Sequence, residues 1–150
     1  MIYEDGKYKL WYVEKDRSIN YIESKDLEKW SKPRIINISY YAKDVINWHL
    51  DVIHTKKGYE MVIASYKNWA DRNSMDLYYT YSKDNKKYEK ARVILRPSID
   101  GWDNKGIYRA SLLSEDGMYY LFYSGQNIDK TRVIGLSMGE NIYSLRGIKR

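Results

Sequence analysis

Three stretches of the chain repeat one pattern. DGKYKLWYV (5–13) is followed by INYIESKDLEKW (19–30), KGYEMVIAS (57–65) by LYYTYSKDNKKY (77–88), and DGMYYLFYS (116–124) by VIGLSMGENIY (133–143). Each has a turn glycine, a tyrosine-rich alternating run, and a second run with a serine. An aromatic follows each serine after six residues: Ser24 to Trp30, Ser82 to Tyr88, Ser137 to Tyr143. The glycines Gly6, Gly58 and Gly117 are 52 and 59 residues apart, and the serines are 58 and 55 apart. A period of roughly 50 residues restricts the chain to a few repeat architectures.

The contents of one period narrow the choice further. Alternating runs rich in Tyr, Ile, Val and Trp, bounded by D-G or K-G, read as strands joined by tight turns. Strands are predicted near 8–13, 19–24, 34–38, 47–54, 59–66, 76–82, 91–95, 107–113, 118–124, 131–137 and 145–149. No segment carries a 3.6-residue apolar stripe, and DLEKW (26–30) has room for one helical turn at most. Pro33 and Pro97 fall in connections, where a missing N–H does no harm. About four strands in a period of about 50 residues is what a β-propeller blade needs. The repeats run roughly 1–46, 47–105 and 106–150.

The chain has 150 residues, 43% hydrophobic and 31% charged, which is enough for one domain with a core. It holds 17 Tyr and 5 Trp but one Phe. Amphipathic rings of that kind suit half-buried strands and sugar-binding surfaces. There is no Cys, so disulfides and cysteine-based zinc sites or nucleophiles are excluded. No apolar run approaches a membrane span or a secretion signal, so a cytoplasmic location is the default expectation. An extracellular one goes with a longer precursor. The net charge of +6 is spread along the chain without a basic run, a solvated surface or a surface for an anionic glycan. No cofactor or metal is expected.

NWHLDVI (47–53) is the segment with the most chemistry. Read as a regular strand, Trp48, Leu50 and Val52 share one face, and Asn47, His49, Asp51 and Ile53 the other. His49 and His54 would face opposite ways, which is no metal site.

The order of these motifs resembles the five-bladed propellers of glycoside hydrolase families 32, 43 and 68. D-G-K-Y-K-L-W-Y with D-G-M-Y-Y-L-F-Y-S, S-K-D-L-E-K-W-S, and W-H-L-D-V-I followed by I-Y-R-A-S carry the likeness, the last pair resembling a bacterial and phage-associated branch. The resemblance implies an all-β propeller fragment of about three four-stranded antiparallel blades, the first incomplete. It implies that strands 47–54 and 107–113 are innermost strands lining a central channel. Asp51 then resembles a channel-facing Asp, with His49 on the same side and Arg109 at the matching place in the next blade.

Hydrolysis of a glycosidic bond needs two carboxyl groups. The resemblance places the family's catalytic carboxylates before residue 1, so the chain is expected to be the C-terminal part of a longer glycosidase or a degenerate relative. Asp51 is the catalytic candidate and Asp103 a reserve general acid. His49, Arg109, Trp48, Trp69 and Trp102 are candidates for binding an oligo- or polysaccharide, anionic in view of the charge. Each has a plainer alternative. Asp51 can accept backbone hydrogen bonds, Arg109 can pair with it across two blades, His49 can be structural, and the indoles can be packing. Trp11 and Trp30 read as core.

Two other functions fit the same residues: a non-catalytic carbohydrate-binding or surface module, and a polyanion-binding β-protein. Nucleic acid is the weaker polyanion, because no recognition motif is present. Three blades of a ring leave two faces bare, expected around Leu10, Tyr12 and Tyr21 at one end and Leu121, Tyr123 and Ile134 at the other. Self-association or further blades would cover them.

Overall fold

A computed structural model describes residues 1–67 and 74–147. Within them the chain forms three antiparallel four-stranded sheets in simple meander order. Blade 1 contains β1 (Ile2–Glu4), β2 (Lys7–Val13), β3 (Ile19–Ser24) and β4 (Arg34–Ile36). Blade 2 contains β5 (Val45–Thr55), β6 (Gly58–Lys67), β7 (Asp76–Ser82) and β8 (Arg92–Leu95). Blade 3 contains β9 (Gly106–Glu115), β10 (Met118–Gln126), β11 (Arg132–Gly139) and β12 (Arg146–Gly147). The all-β fold is that of part of a propeller. No helix occurs among the described residues; 26–29 are bends and Trp30 bridges back to Ser24, so DLEKW makes no helical turn.

The repeat is visible in the turns. Asp5-Gly6 and Asp116-Gly117 both have positive φ, as two-residue hairpin loops require. Lys56-Lys57 fills the same place in blade 2, between the paired residues Thr55 and Gly58. In blades 1 and 2 a second turn follows the serine of the predicted pattern. Ser24 Oγ accepts the N–H of Leu27 and Asp26 Oδ1 accepts those of Glu28 and Lys29. Asp84 does the same for Lys86 and Lys87 in blade 2. Trp30, expected in the core, is half-buried instead, its indole N–H donating to Leu27 O within this turn.

Strand register makes positions in the three blades equivalent. Counting from the hairpins, Tyr8, Tyr59 and Tyr119 correspond, as do Lys9, Glu60 and Tyr120, and Trp11, Val62 and Phe122. Alternation puts the tyrosines on the leading side of each blade, toward the preceding one, and the second and third sets on the trailing side. Two cores result. Trp11, Tyr21, Val52, Tyr59, Met61 and Ile63 fill the seam between blades 1 and 2. Val62, Leu77, Leu112, Tyr119, Leu121 and Tyr123 belong to the seam between blades 2 and 3.

Each seam is clasped at its hairpin end by a tyrosine bridging a carboxylate and a lysine. In seam 1–2, Tyr59 OH donates to Glu4 Oε2 at 2.5 Å and accepts from Lys9 Nζ at 2.7 Å. Lys9 also pairs with Glu4 at 2.5 Å, and His54 Nδ1 lies 2.5 Å from the other Glu4 oxygen. In seam 2–3, Tyr119 OH donates to Glu60 Oε2 at 2.8 Å and accepts from Lys57 Nζ at 2.7 Å. Tyr79 OH donates to the same oxygen and Thr55 Oγ1 to the other, at 2.5 Å.

The outward faces differ in part from expectation. Leu121 and Tyr123 are on the leading side of blade 3 and are buried against blade 2, and Tyr21 is buried on the trailing side of blade 1. The bare face of blade 3 is its trailing side, with Leu113, Tyr120, Phe122 and Ile134; the bare face of blade 1 carries Tyr3, Tyr8, Leu10, Tyr12 and Ile35.

Candidate functional site

The innermost strands β5 and β9 each carry one irregularity, at the same place. In β5, Asn47 pairs with Ser65 and His49 with Ala64, so Trp48 is an extra residue. In β9, Ile107 pairs with Gly125 and Arg109 with Ser124, so Tyr108 is an extra residue. A bulge of this kind re-aims side chains and breaks the simple alternation. Asn47 therefore does not share a face with His49 and Asp51 as regular pairing predicts. Its Oδ1 accepts from Tyr40 OH and its Nδ2 donates to Arg17 O at 2.9 Å, on the blade 1 side. Trp48 turns the other way from Leu50 and Val52: it packs on the seam 2–3 core, and they pack on the seam 1–2 core.

The two bulges present two rings side by side. His49 lies between them, 5.6 Å from the Trp48 ring and 4.9 Å from the Tyr108 ring, edge-on to both. Arginines flank the row. The Arg17 guanidinium sits 4.2 Å over Trp48, and those of Arg109 and Arg132 lie 5.4 and 5.7 Å from Tyr108. Beside them, Tyr108, Ser124, Gln126 and Arg132 line a small cleft. Arg109 and Tyr108 are exposed, Trp48 and His49 half-buried.

Arg109 pairs with His49 rather than with Asp51: its Nε donates to His49 Nε2 at 3.4 Å. That bond requires an unprotonated Nε2. Burial, and then the charges of Arg109 and Arg17, push the His49 pKa down to about 4. The imidazole is thus neutral at ordinary pH, and the terminal nitrogens of Arg109 have no acceptor among the described residues. The indole N–H of Trp48 has no acceptor among the described residues.

Asp51 is two residues further on and accepts three hydrogen bonds. Its Oδ2 accepts from Ser111 Oγ and from Leu112 N, both at 2.9 Å, and its Oδ1 from Val52 N at 3.0 Å. It ties β5 to β9. Asp103 is buried in the loop before β9, where its Oδ1 accepts from the N–H and hydroxyl of Ser98. Trp102 stacks on Tyr123 at 5.6 Å and lies across Gly125 and Gly135. A Cβ at either glycine would come within 2.5 Å of the indole, so a larger residue there would displace it. Trp69 lies outside the described residues. Among the described residues no group of three or more His, Cys, Asp or Glu could hold a metal.

The sequence therefore pointed to His49 and Arg109, which meet, and to Trp48, which joins them. Tyr108, Arg17 and Arg132 were missed. The signal for Tyr108 was its place beside Arg109, matching Trp48 beside His49. Arg17 and Arg132 reach the row from turns and strand ends, where one strand's pattern says nothing.

No protein-family model matches the sequence, and no curated protein matches it. Solved structures do match it in fold. A family 117 glycoside hydrolase of the marine bacterium Zobellia galactanivorans superposes with a TM-score of 0.74 at 14% identity, over 98% of this chain and 53% of that one. An α-L-arabinofuranosidase of Podospora anserina, described in complex with cellotriose, gives 0.66 at 15% identity over 94% of this chain and 45% of that one. A family 32 β-fructofuranosidase of Bombyx mori gives 0.64 at 12% identity, over 98% and 33%. The chain spans about half or less of each of these proteins, and it has the fold of part of a glycoside hydrolase propeller.

Proposed function

We propose that the row formed by Trp48, His49, Tyr108 and Arg109 binds an anionic carbohydrate. The carrying observation is the pair of equivalent bulges, which set two aromatic rings beside a guanidinium oriented by a neutral imidazole. Rings of this kind stack on the C–H faces of sugars, and a guanidinium takes a carboxylate or sulfate with two parallel hydrogen bonds. Arg17 and Arg132 add positive charge on either side. Asp51 serves as a support in this reading: it holds β9 against β5, so the two rings keep their spacing. Trp102 acts in packing and Asp103 in holding its loop.

A second reading, hydrolysis, is favoured by the likeness to propeller glycoside hydrolases. In it Asp51 contributes one carboxyl group, and the second comes from outside the described innermost strands, whose other acids, Glu4 and Glu115, lie at hairpin ends.

The test is NMR titration with an oligogalacturonate, a sulfated oligosaccharide and a neutral xylo-oligosaccharide. Binding of an acidic ligand in the range of about 1 mM is expected, with shifts at Trp48, Tyr108 and Arg109. Arg109→Ala should weaken it about tenfold or more. Equal response to the neutral sugar, or shifts confined to other surfaces, would remove the reading. Release of reducing ends from the acidic oligosaccharide, abolished by Asp51→Asn, would favour hydrolysis. Binding of single-stranded DNA as tightly as the acidic sugar would favour a general polyanion binder.

A further inference from the structure

We propose that the hairpin end of seam 1–2 holds a second binding site, a lysine-lined groove that takes a linear sulfated polysaccharide. It is separate from the row around Arg109. That row sits near the start of β5 and β9, whereas the groove lies by the hairpins that end β1 and β5.

Two adjoining hollows make the groove. One is lined by Lys9, Lys32 and Arg34 of blade 1 and by Asp84, Asn85 and Lys86 of blade 2. The other is lined by Lys7, Lys25, Asp26 and Lys29 of blade 1. Glu23 and Ser31 belong to both, so the hollows are continuous. Strand register sets the first wall. Lys9 pairs with Glu23 and Tyr21 with Arg34, and alternation turns these side chains to the trailing side of blade 1, toward blade 2. Asn85 holds the second wall in place. It is buried, with a positive φ of 58°. Its Oδ1 accepts from Trp11 Nε1 at 2.9 Å and from Tyr88 OH at 2.8 Å, and its carbonyl accepts from Arg34 Nη2 at 2.9 Å.

The charges in the groove do not cancel. Its three carboxylates are taken up within the chain. Glu23 accepts from Lys7 Nζ and from Tyr21 OH, the latter at 2.9 Å. Asp26 and Asp84 accept the backbone N–H groups of their own turns. Of the cations, Lys7 pairs with Glu23, Lys9 with Glu4, and Arg34 with the Asn85 carbonyl. Lys25, Lys29, Lys32 and Lys86 are exposed and, among the described residues, belong to no ion pair. Blade 2 repeats the device. Lys83 follows Ser82 as Lys25 follows Ser24, and it lines a hollow with Lys56 and Lys57 of the hairpin. In blade 3 the same places hold Met138 and the acidic Glu115-Asp116, so the basic surface is confined to blades 1 and 2.

Four unpaired ammonium groups along a continuous groove suit an anion whose charges recur along a chain. Lysine meets sulfate as a point charge, without the forked geometry of arginine. A single-stranded nucleic acid would need exposed rings on which to stack its bases. The rings in the groove, Tyr21 and Tyr59, are each only 8% exposed, and the Arg34 guanidinium lies 4.8 Å over Tyr21. The absence of a stacking platform favours the sulfated glycan.

The experiment is isothermal titration calorimetry with a heparin octasaccharide between about 50 and 300 mM salt, on the whole chain carrying Arg109→Ala so that the row does not contribute. Circular dichroism confirms the fold of each variant. The Arg109→Ala chain should bind, with log Kd rising linearly with log salt. Adding Lys25→Gln, Lys29→Gln, Lys32→Gln and Lys86→Gln together should weaken binding about tenfold or more and lower the salt slope by about 2 to 3. Lys32→Gln with Lys86→Gln alone should cost about threefold or more, and serves if the fourfold variant does not fold. Four exposed lysines elsewhere, Lys15, Lys43, Lys105 and Lys130, changed to Gln in the same background, should cost less than about threefold. Equal losses in the two fourfold variants overturn the proposal, because net charge alone then explains binding. No binding by the Arg109→Ala chain overturns it in favour of sulfate held by the row. Binding of single-stranded oligo-dT as tight as that of the octasaccharide, and equally weakened by the groove substitutions, overturns it in favour of nucleic acid.

Discussion

The two seams use the same parts in different places. In seam 1–2 the carboxylate, Glu4, comes from the innermost strand and the lysine, Lys9, from the second strand. In seam 2–3 the carboxylate, Glu60, comes from the second strand, at the Lys9 position, and the lysine, Lys57, from the hairpin. The tyrosine is constant, so acid and base have exchanged roles around it. The environments differ as well. Glu60 is 0% exposed and accepts three hydroxyls, whereas Glu4 keeps some exposure and takes an ammonium, a hydroxyl and an imidazole contact. A charge that needs only to be neutralised can stay near water; one under two tyrosine rings must be satisfied by donors that fit.

The largest break of this comparison is Glu60→Ala. It strips Thr55, Tyr79 and Tyr119 of their acceptor and leaves a void in the seam, at a cost of about 3 kcal/mol or more. Urea unfolding should show the lower midpoint, with Glu60→Gln losing less. Next is Lys9→Met, which keeps the stem but leaves Glu4 without its ammonium. Burial works against the Lys9 charge, yet the hydrogen bonds with Glu4 and Tyr59 outweigh it and raise the lysine's pKa. A loss of about 2 kcal/mol is expected by the same measurement.

A smaller effect separates the seams by pH. Hydrogen bonding from Lys9, and then from Tyr59, lowers the Glu4 pKa. The folded state therefore binds its proton less readily than the unfolded chain. Glu4 contributes stability that is full above the ordinary carboxylate range and is lost as pH falls through the lowered value. Glu4→Gln should flatten that acid limb in thermal melts. His49 acts in a different window: its depressed pKa costs stability as pH falls from 6.5 toward about 4, and His49→Gln should remove that slope alone. The smallest effect belongs to Lys57→Met, at an exposed hairpin residue, where a few tenths to about 1 kcal/mol is expected. A Lys57 variant as damaging as Lys9→Met would show that the seams are not organised differently.

The strands and their grouping were legible in the sequence because turn glycines and alternating tyrosines are local signals. The Ser-x-Asp turns were legible as spacing, without their hydrogen bonds. What could not be read was which face a residue takes beyond a bulge. Trp48 and Asn47 exchange sides because β6 offers one partner fewer than β5 requires, and that shortage is a property of the pair of strands. The same holds for the ends of the arc: Leu121 and Phe122 look alike in sequence, and only the neighbouring blade decides which is covered. Arg109 was legible as a candidate, but its partner depended on the next innermost strand, where His49 lies nearer to its Nε than the occupied Asp51 does.

Trp102 lies in a notch made by two glycines on neighbouring strands and is stacked on Tyr123, while 40% of it meets solvent. The notch makes this indole an optical gauge of blade 3. Its emission colour depends on how closely the ring is held against β10 and β11, and a side chain added at Gly135 would lift it away while leaving in place the row of Trp48, His49, Tyr108 and Arg109 on β5 and β9. Blade 3 thus carries its own reporter, in which a loosening of the last blade reads as a shift to longer wavelength before the rest of the chain unfolds.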